Sequence, residues 1–366
     1  MKALVETLDV KMDGLEWPRG ENRGILVGVH TFGDVTDGPD GRRLSHAASI
    51  RNMVEQAEVA DRAGLDYFGI GEHHIDEMPL SAPDLVLSAA AVRTSRIHLG
   101  SSVTVLSSDD PVRVFQRYAT LDALSNGRAE VILGRGSSTE SFPLFGFDIA
   151  QYEELFEEKL QLFAELRKEM PVTWQGRLRP PLQGLPVYPH TERGSLPTWI
   201  GVGGNPGSVV RAARYGFPLM LAIIGGNPER FVPLTELFRH ATRQFGYAPR
   251  PIGVHSLGHI AETDQIAQEE FFRYYSTFLP DVFRSRGFPP ITRNFYEKEL
   301  GPRGALYVGS PKTVTAKIVK NMRALGAQRF DLKYGMGGLQ QASLLRTIRL
   351  LGEEVAPAVR GTLASS

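Results

Sequence analysis

Hydrophobic positions along this chain alternate between two rhythms. Gly24-Ile25-Leu26-Val27-Gly28-Val29-His30 is a short apolar run with β-branched residues and reads as a first strand. From Ile50 to Ala63 the apolar positions Met53, Val54, Ala57, Ala60 and Ala63 recur at three and four, which predicts a helix closed by Gly64. Tyr67-Phe68-Gly69-Ile70-Gly71-Glu72-His73-His74 is the next strand, ending in ionisable groups. Pro83-Asp84 opens a helix through Leu85, Leu87, Ala90 and Val92, and Ile97 to Leu106 is a third strand. Asp110 as N-cap and Pro111 at the first helical position start a helix that runs to about Leu124. A strand over Ala129–Leu133 and an amphipathic helix over Tyr152–Glu169 follow. The rhythm resumes with strand Thr198–Val202, helix Pro206–Tyr215, strand Pro218–Ile224, helix Pro228–Phe245 and strand Ile252–Ile260. A helix from Asp264 to about Phe283, a helix over Pro311–Leu325, strand Arg329–Tyr334 and helix Leu339–Val355 complete it.

Strand then helix, repeated about eight times, predicts an α/β fold: a (β/α)8 TIM-type barrel with insertions. No G-x-G-x-x-G follows the first strand, which weighs against the doubly wound dinucleotide sheet as the competing fold. Three stretches lack the rhythm, near 31–49, 171–196 and 286–303, and are expected to be insertions in a single domain spanning 1–366.

Composition narrows the function. Lys+Arg 41 balances Asp+Glu 41, so no overall field draws the chain to nucleic acid or an anionic membrane. The absence of cysteine excludes a disulfide framework, a thiol nucleophile and thiolate metal sites. No run approaches the length of a membrane span and the polar first 23 residues contain no signal-like apolar stretch, so a soluble, cytoplasmic protein is expected.

Parallel barrels carry their chemistry where the strands end, which draws attention to Glu72, His73 and His74 as catalytic candidates. Successive strand residues face opposite ways, so if the strand persists Glu72 and His74 share a face and His73 takes the other. A metal held by Glu72 and His74 would lack a third ligand, since His30, His98 and His255 are scattered; no metal site is expected. The plainer reading is a hydrogen-bonded structural histidine. The best anion seat is Gly201-Val202-Gly203-Gly204-Asn205-Pro206-Gly207-Ser208: Asn205 caps, Pro206 starts the helix, and the N–H groups of Gly207 and Ser208 with the Ser208 hydroxyl face outward. Its near-copy Gly225-Gly226-Asn227-Pro228-Glu229-Arg230 puts an acid where phosphate would sit and reads as an ordinary cap; Gly309-Ser310-Pro311-Lys312-Thr313 is a second-ranked seat. Arg135, between Gly134 and Gly136, can reach an anion bidentately, against the reading of a surface arginine.

In order along the chain, these motifs resemble the bacterial luciferase-like, flavin-dependent monooxygenases. The matching segments are Gly71-Glu72-His73-His74, Ser102-Val103, Asp110-Pro111-Val112-Arg113, Asn126-Gly127-Arg128, Gly134-Arg135-Gly136, Phe145-Gly146-Phe147-Asp148, Gly203-Gly204-Asn205 to Ser208, and Tyr215-Gly216-Phe217-Pro218, between about residues 24 and 355. The resemblance implies FMN at the C-terminal strand ends, with Arg135, Gly204, Asn205 and Ser208 on its phosphate and Ser102-Val103 as a non-prolyl cis peptide beneath the ring. It implies that His73 serves the oxygen chemistry as acid, base or hydrogen-bond donor. It further implies reduced FMN delivered by a separate flavin reductase, O2 and a small organic substrate as reactants, and a homodimer. Other readings are a deazaflavin-dependent hydride transferase, a flavin-binding protein without turnover and a metal-dependent barrel hydrolase. The reactive cysteine that some relatives carry near the flavin is absent.

Overall fold

In a closed parallel barrel each strand buries both faces, one against the helices and one in the lumen, so its residues alternate between two interiors. Eight parallel strands do this within residues 24–136, 139–282 and 290–364, which the computed structural model describes. They are β1 (Leu26–Thr31), β2 (Tyr67–Ile70), β3 (His98–Ser101), β4 (Ala129–Gly134), β5 (Thr198–Val202), β6 (Leu219–Ala222), β7 (Ile252–Ile260) and β8 (Arg329–Lys333). Each pairs with the next in the chain, and β8 returns to β1 with Asp331 opposite Gly28, closing the barrel. Helices cover the outside, as the repeating pattern predicts.

The alternation sorts side chains cleanly. Val27, Val29, Phe68, Ile70, Leu99, Val131 and Leu133 join the large core between strands and helices, whereas Tyr67, Ile132, Trp199 and Met220 form a separate cluster in the lumen. That inner cluster surrounds a charge. Arg329 is buried, donates to Glu130 Oε1 at 2.5 Å and to Asp331 at 2.9 and 3.0 Å, and lies 3.9 Å from the centre of the Tyr67 ring. Burial works against the guanidinium charge, but the two carboxylates hold it firmly protonated, while burial pushes Asp331 up to about 6 against the pull of Arg329.

Several expectations shift. β2 stops at Ile70, four residues early, because Gly71 to His74 turn away to bond other segments. The third apolar run breaks at Ser102–Val103, whose peptide bond is cis, and pairing with β4 resumes at Thr104–Val105. The 171–196 stretch contains an antiparallel hairpin, Val172–Trp174 with Leu182–Leu185. The third excursion is less irregular than its composition suggests: Arg293–Leu300 is a helix capped by Thr292, and residues 286–289 lie outside the described residues. A short strand, Tyr307–Gly309, unforeseen in the sequence, pairs with the C-terminal part of β7. Among the described residues no helix is long and apolar enough to cross a membrane.

Candidate active site

Where β2 ends, the backbone is tied to three neighbours at once. Gly71 N–H donates to the Thr31 carbonyl at 2.8 Å, Glu72 N–H to Val103 at 3.2 Å, and His73 N–H to Leu80 at 3.1 Å. Glu72 then uses its carboxylate twice, accepting from Val105 N–H at 2.9 Å and pairing with His74 Nε2 at 2.9 Å. The His74 ring meets Phe145 edge-on at 5.3 Å. This pair braces the segment that follows the cis peptide. His73 turns the other way, with its ring 5.1 Å from Phe32 and its buried Nδ1 without a hydrogen-bond partner. Burial, then the charge of Lys333 and the neighbouring His74, push His73 down to about 4, against the carbonyls of Gly71 and Phe32. At pH 7 it is a neutral imidazole, able to give and to accept one hydrogen bond.

The Ser102–Val103 peptide lies beside His73 on a surface kept flat by glycine. A Cβ at Gly134 would fall 2.5 Å from Val103 Cγ2, and one at Gly201 would fall 2.9 Å from Val103 Cγ1. Ser102 N–H donates to the Ile70 carbonyl at 2.8 Å, and the Ser102 hydroxyl is 3.3 Å from the Tyr67 hydroxyl. The hydroxyls foreseen in this strand therefore find partners in the barrel wall.

After β5 the chain passes through Gly203 and Gly204, the latter at φ +114°, a backbone angle that favours glycine. Asn205 caps the helix Pro206–Arg214 through a bond from Ser208 N–H to its Oδ1 at 3.2 Å. One expectation is thereby corrected: the Ser208 N–H is consumed by the cap. What remains open is the Ser208 hydroxyl, buried and without a partner. One turn further along the same helix, Arg211 donates to Glu157 at 2.5 Å and to Glu153 at 3.0 Å while its Nη1 has no partner. Arg135 also pairs with Glu153 and lies 5.1 Å from the Tyr152 ring centre. Arg211 was missed from the sequence, although its i+3 spacing from Ser208 on a helix was the available signal. Ser137 and Ser138 lie outside the described residues. The other two seats are filled internally. Asn227 Oδ1 accepts from Glu229 N–H at 3.1 Å, and the Asp264 carboxylate takes Ser310 N–H at 2.6 Å and the Thr313 hydroxyl at 2.9 Å. The second-ranked anion seat thus already holds a carboxylate.

The histidines that look scattered in the sequence are partly gathered. His30 on β1 and His255 on β7 meet at 4.5 Å between ring centres, and Phe32 lies between this pair and His73. Lys333, buried at the end of β8, donates to Asp34 Oδ2 at 2.7 Å and to the Gly335 carbonyl at 2.6 Å. Among the described residues no group of three or more His, Cys, Asp or Glu side chains is arranged to hold a metal ion.

A parallel barrel whose C-terminal edge brings together a neutral histidine, a glycine-flanked peptide surface and an arginine-bearing helix terminus has the frame of a barrel enzyme. The chain belongs to the luciferase-like monooxygenase family, whose sequence profile matches residues 24–329, and is an enzyme of that oxidoreductase kind. It is 26% identical over 331 residues to the 4-hydroxyprotoasukamycin monooxygenase of Streptomyces nodosus subsp. asukaensis, covering 86% of this chain and 88% of that one. The crystal structure of monooxygenase RslO1 from Streptomyces bottropensis superposes with TM-score 0.78 at 25% identity, covering 91% of this chain and 99% of that one. The oxygenating constituent of 3,6-diketocamphane monooxygenase from a Pseudomonas putida plasmid, a type II Baeyer-Villiger monooxygenase in complex with FMN, matches with TM-score 0.73 at 19% identity over 91% and 98% of the two chains.

Proposed function

We propose that the chain is an FMN-dependent monooxygenase that uses reduced FMN and O2 to oxidise a small organic substrate, with the reduced flavin supplied by a separate reductase. The observation that carries this reading is the buried, partnerless Ser208 hydroxyl at a helix N-terminus on the barrel edge that also bears His73. A hydroxyl in that position is stabilised by a phosphate oxygen, and the helix dipole favours the anion. Ser208, with Gly203, Gly204, Asn205 and Gly207 forming the turn around it, would hold the phosphate. Arg135 and Arg211 would neutralise it by exchanging part of their bond to Glu153 for the ligand. Ser102 and Val103, flanked by Gly134 and Gly201, would carry the flat ring. Bound reduced FMN would supply the electrons with which dioxygen is activated. His73, neutral at pH 7, can donate or accept a hydrogen bond beside the ring without carrying a charge into the site. Glu72 and His74 position that segment. The FMN complex of the structurally similar diketocamphane enzyme supports the choice of flavin.

Anaerobic titration with reduced FMN, followed by mixing with oxygenated buffer, tests the proposal. Protein-bound reduced FMN should reoxidise on a time course distinct from free reduced FMN and direct label from isotopic dioxygen into product. A protein that prefers a deazaflavin and leaves dioxygen untouched would overturn the reading, as would reoxidation at the rate of free flavin.

A further inference from the structure

Three imidazoles, from β1, from the segment after β2 and from within β7, converge on one phenyl ring. The centre of Phe32 lies 5.1 Å from His73, 5.5 Å from His30 and 6.4 Å from His255. His30 and His255 meet edge to face at 4.5 Å. His30 is fully buried and neither ring nitrogen has a hydrogen-bond partner, while His255 beside it retains 7% exposure. Leaving an imidazole without partners in an interior is costly, so such groups persist where a ligand completes them. Burial and the nearby Arg329 push His255 down to about 4; burial, His255, Lys333 and Arg329 push His30 well down. Both are therefore neutral at pH 7, and each offers one donor and one acceptor.

The surrounding charges are paired among themselves. Asp34 gives one oxygen to Lys333 at 2.7 Å, and Asp331 is paired with Arg329 at 2.9 Å. A hydrocarbon would make no hydrogen bond to the partly exposed His255, whereas a carbonyl or hydroxyl oxygen would make one.

We propose that His255, backed by His30, is an oxygen-recognising group of this site and that, with His73 against the same Phe32 ring, it selects a substrate bearing a carbonyl or phenolic oxygen over a hydrocarbon. This deepens the monooxygenase reading and rests on it for the reaction.

The test compares 4-nitrophenol with nitrobenzene at about pH 5.5, where the phenol is un-ionised and His255 still neutral, so that the two probes differ by one hydroxyl. Calorimetric titration of FMN-loaded protein should show tighter binding of 4-nitrophenol. His255→Phe should weaken 4-nitrophenol by about tenfold, the size of one hydrogen bond, and leave nitrobenzene within about twofold. His255→Asn, which keeps a donor and an acceptor, should restore most of the difference. Equal losses for both probes, or no loss for 4-nitrophenol, would overturn the proposal. Should His255→Phe not fold, the unmodified protein still decides: equal affinity for the two probes sinks the assignment, and a clear preference for 4-nitrophenol that His255→Asn retains upholds it. Failure of the monooxygenase reading would show in flavin reoxidation, which these titrations do not measure.

Discussion

Glu72 and His74 close on each other at 2.9 Å, and His73 between them is thrown to the opposite side of the backbone against Phe32. Three consecutive ionisable residues thereby divide into a hydrogen-bonded pair and a separate imidazole, which the proposed function makes the reactive group. The division predicts opposite mutant behaviour. Glu72→Ala removes the acceptor for Val105 N–H and His74 and should cost about 2–3 kcal/mol of stability, read as a shifted urea midpoint. His73→Ala should leave the midpoint within about 1 kcal/mol, retain FMN affinity and lose substrate oxygenation. If His73→Ala unfolds the protein, the histidine is structural.

The partnerless Ser208 hydroxyl makes a second expectation. Ser208→Asp places a carboxylate where phosphate should sit and should weaken FMN by about 100-fold while changing riboflavin, which lacks phosphate, by only a few-fold. Arg211→Met should act in the same direction with a smaller effect. Fluorescence-quenching titrations with the two flavins measure both, and parallel losses for FMN and riboflavin would remove the phosphate from this terminus.

Gly134 presses its Cα face against Val103 so closely that a methyl group has no room. Gly134→Ala must displace Val103, at a cost of about 1–3 kcal/mol in stability. It should also weaken FMN and riboflavin equally, in contrast to Ser208→Asp. A variant that binds flavin as the parent does would place the ring elsewhere.

Acid stability follows from the buried imidazoles. His73, His98 and His255 are each pushed down to about 4, by burial first and then by neighbouring positive charge. Unfolded, they take up protons below about 6.5. Between those values the unfolded chain binds more protons than the folded one, so stability is present above pH 6.5 and drains as pH falls towards 4. Each histidine contributes up to about 3 kcal/mol to that loss. His255→Asn should flatten the decline in urea midpoint between pH 7 and pH 5. An unchanged slope would mean that His255 charges freely in the folded protein.

Local sequence carries most of the scaffold because its signals are local. The period of two in the strands, the periods of three and four in the helices, and caps such as Asp110 and Asn205 depend on neighbours within a turn, and they survive nearly unchanged into the structure. That His73 faces away from Glu72 and His74 matches the pattern of a continued strand, although β2 itself ends at Ile70. The resemblance in motif order located the Ser102–Val103 bond, which no propensity could have signalled.

Closure of the barrel decided the rest. Arg329 reaches Glu130 across 199 positions of chain, and His30 reaches His255 across the lumen. In sequence these are an arginine in an ordinary strand and two isolated histidines; only a ring of eight strands brings them to one axis. Which anion seat remains open was settled in the same way. Gly309-Ser310-Pro311 resembles a phosphate site until the fold delivers Asp264 to it, whereas at Ser208 the fold delivers no internal partner for the hydroxyl. A sequence states what each segment can bond; tertiary structure determines which of those bonds the protein has already made for itself, and so which remain for a ligand.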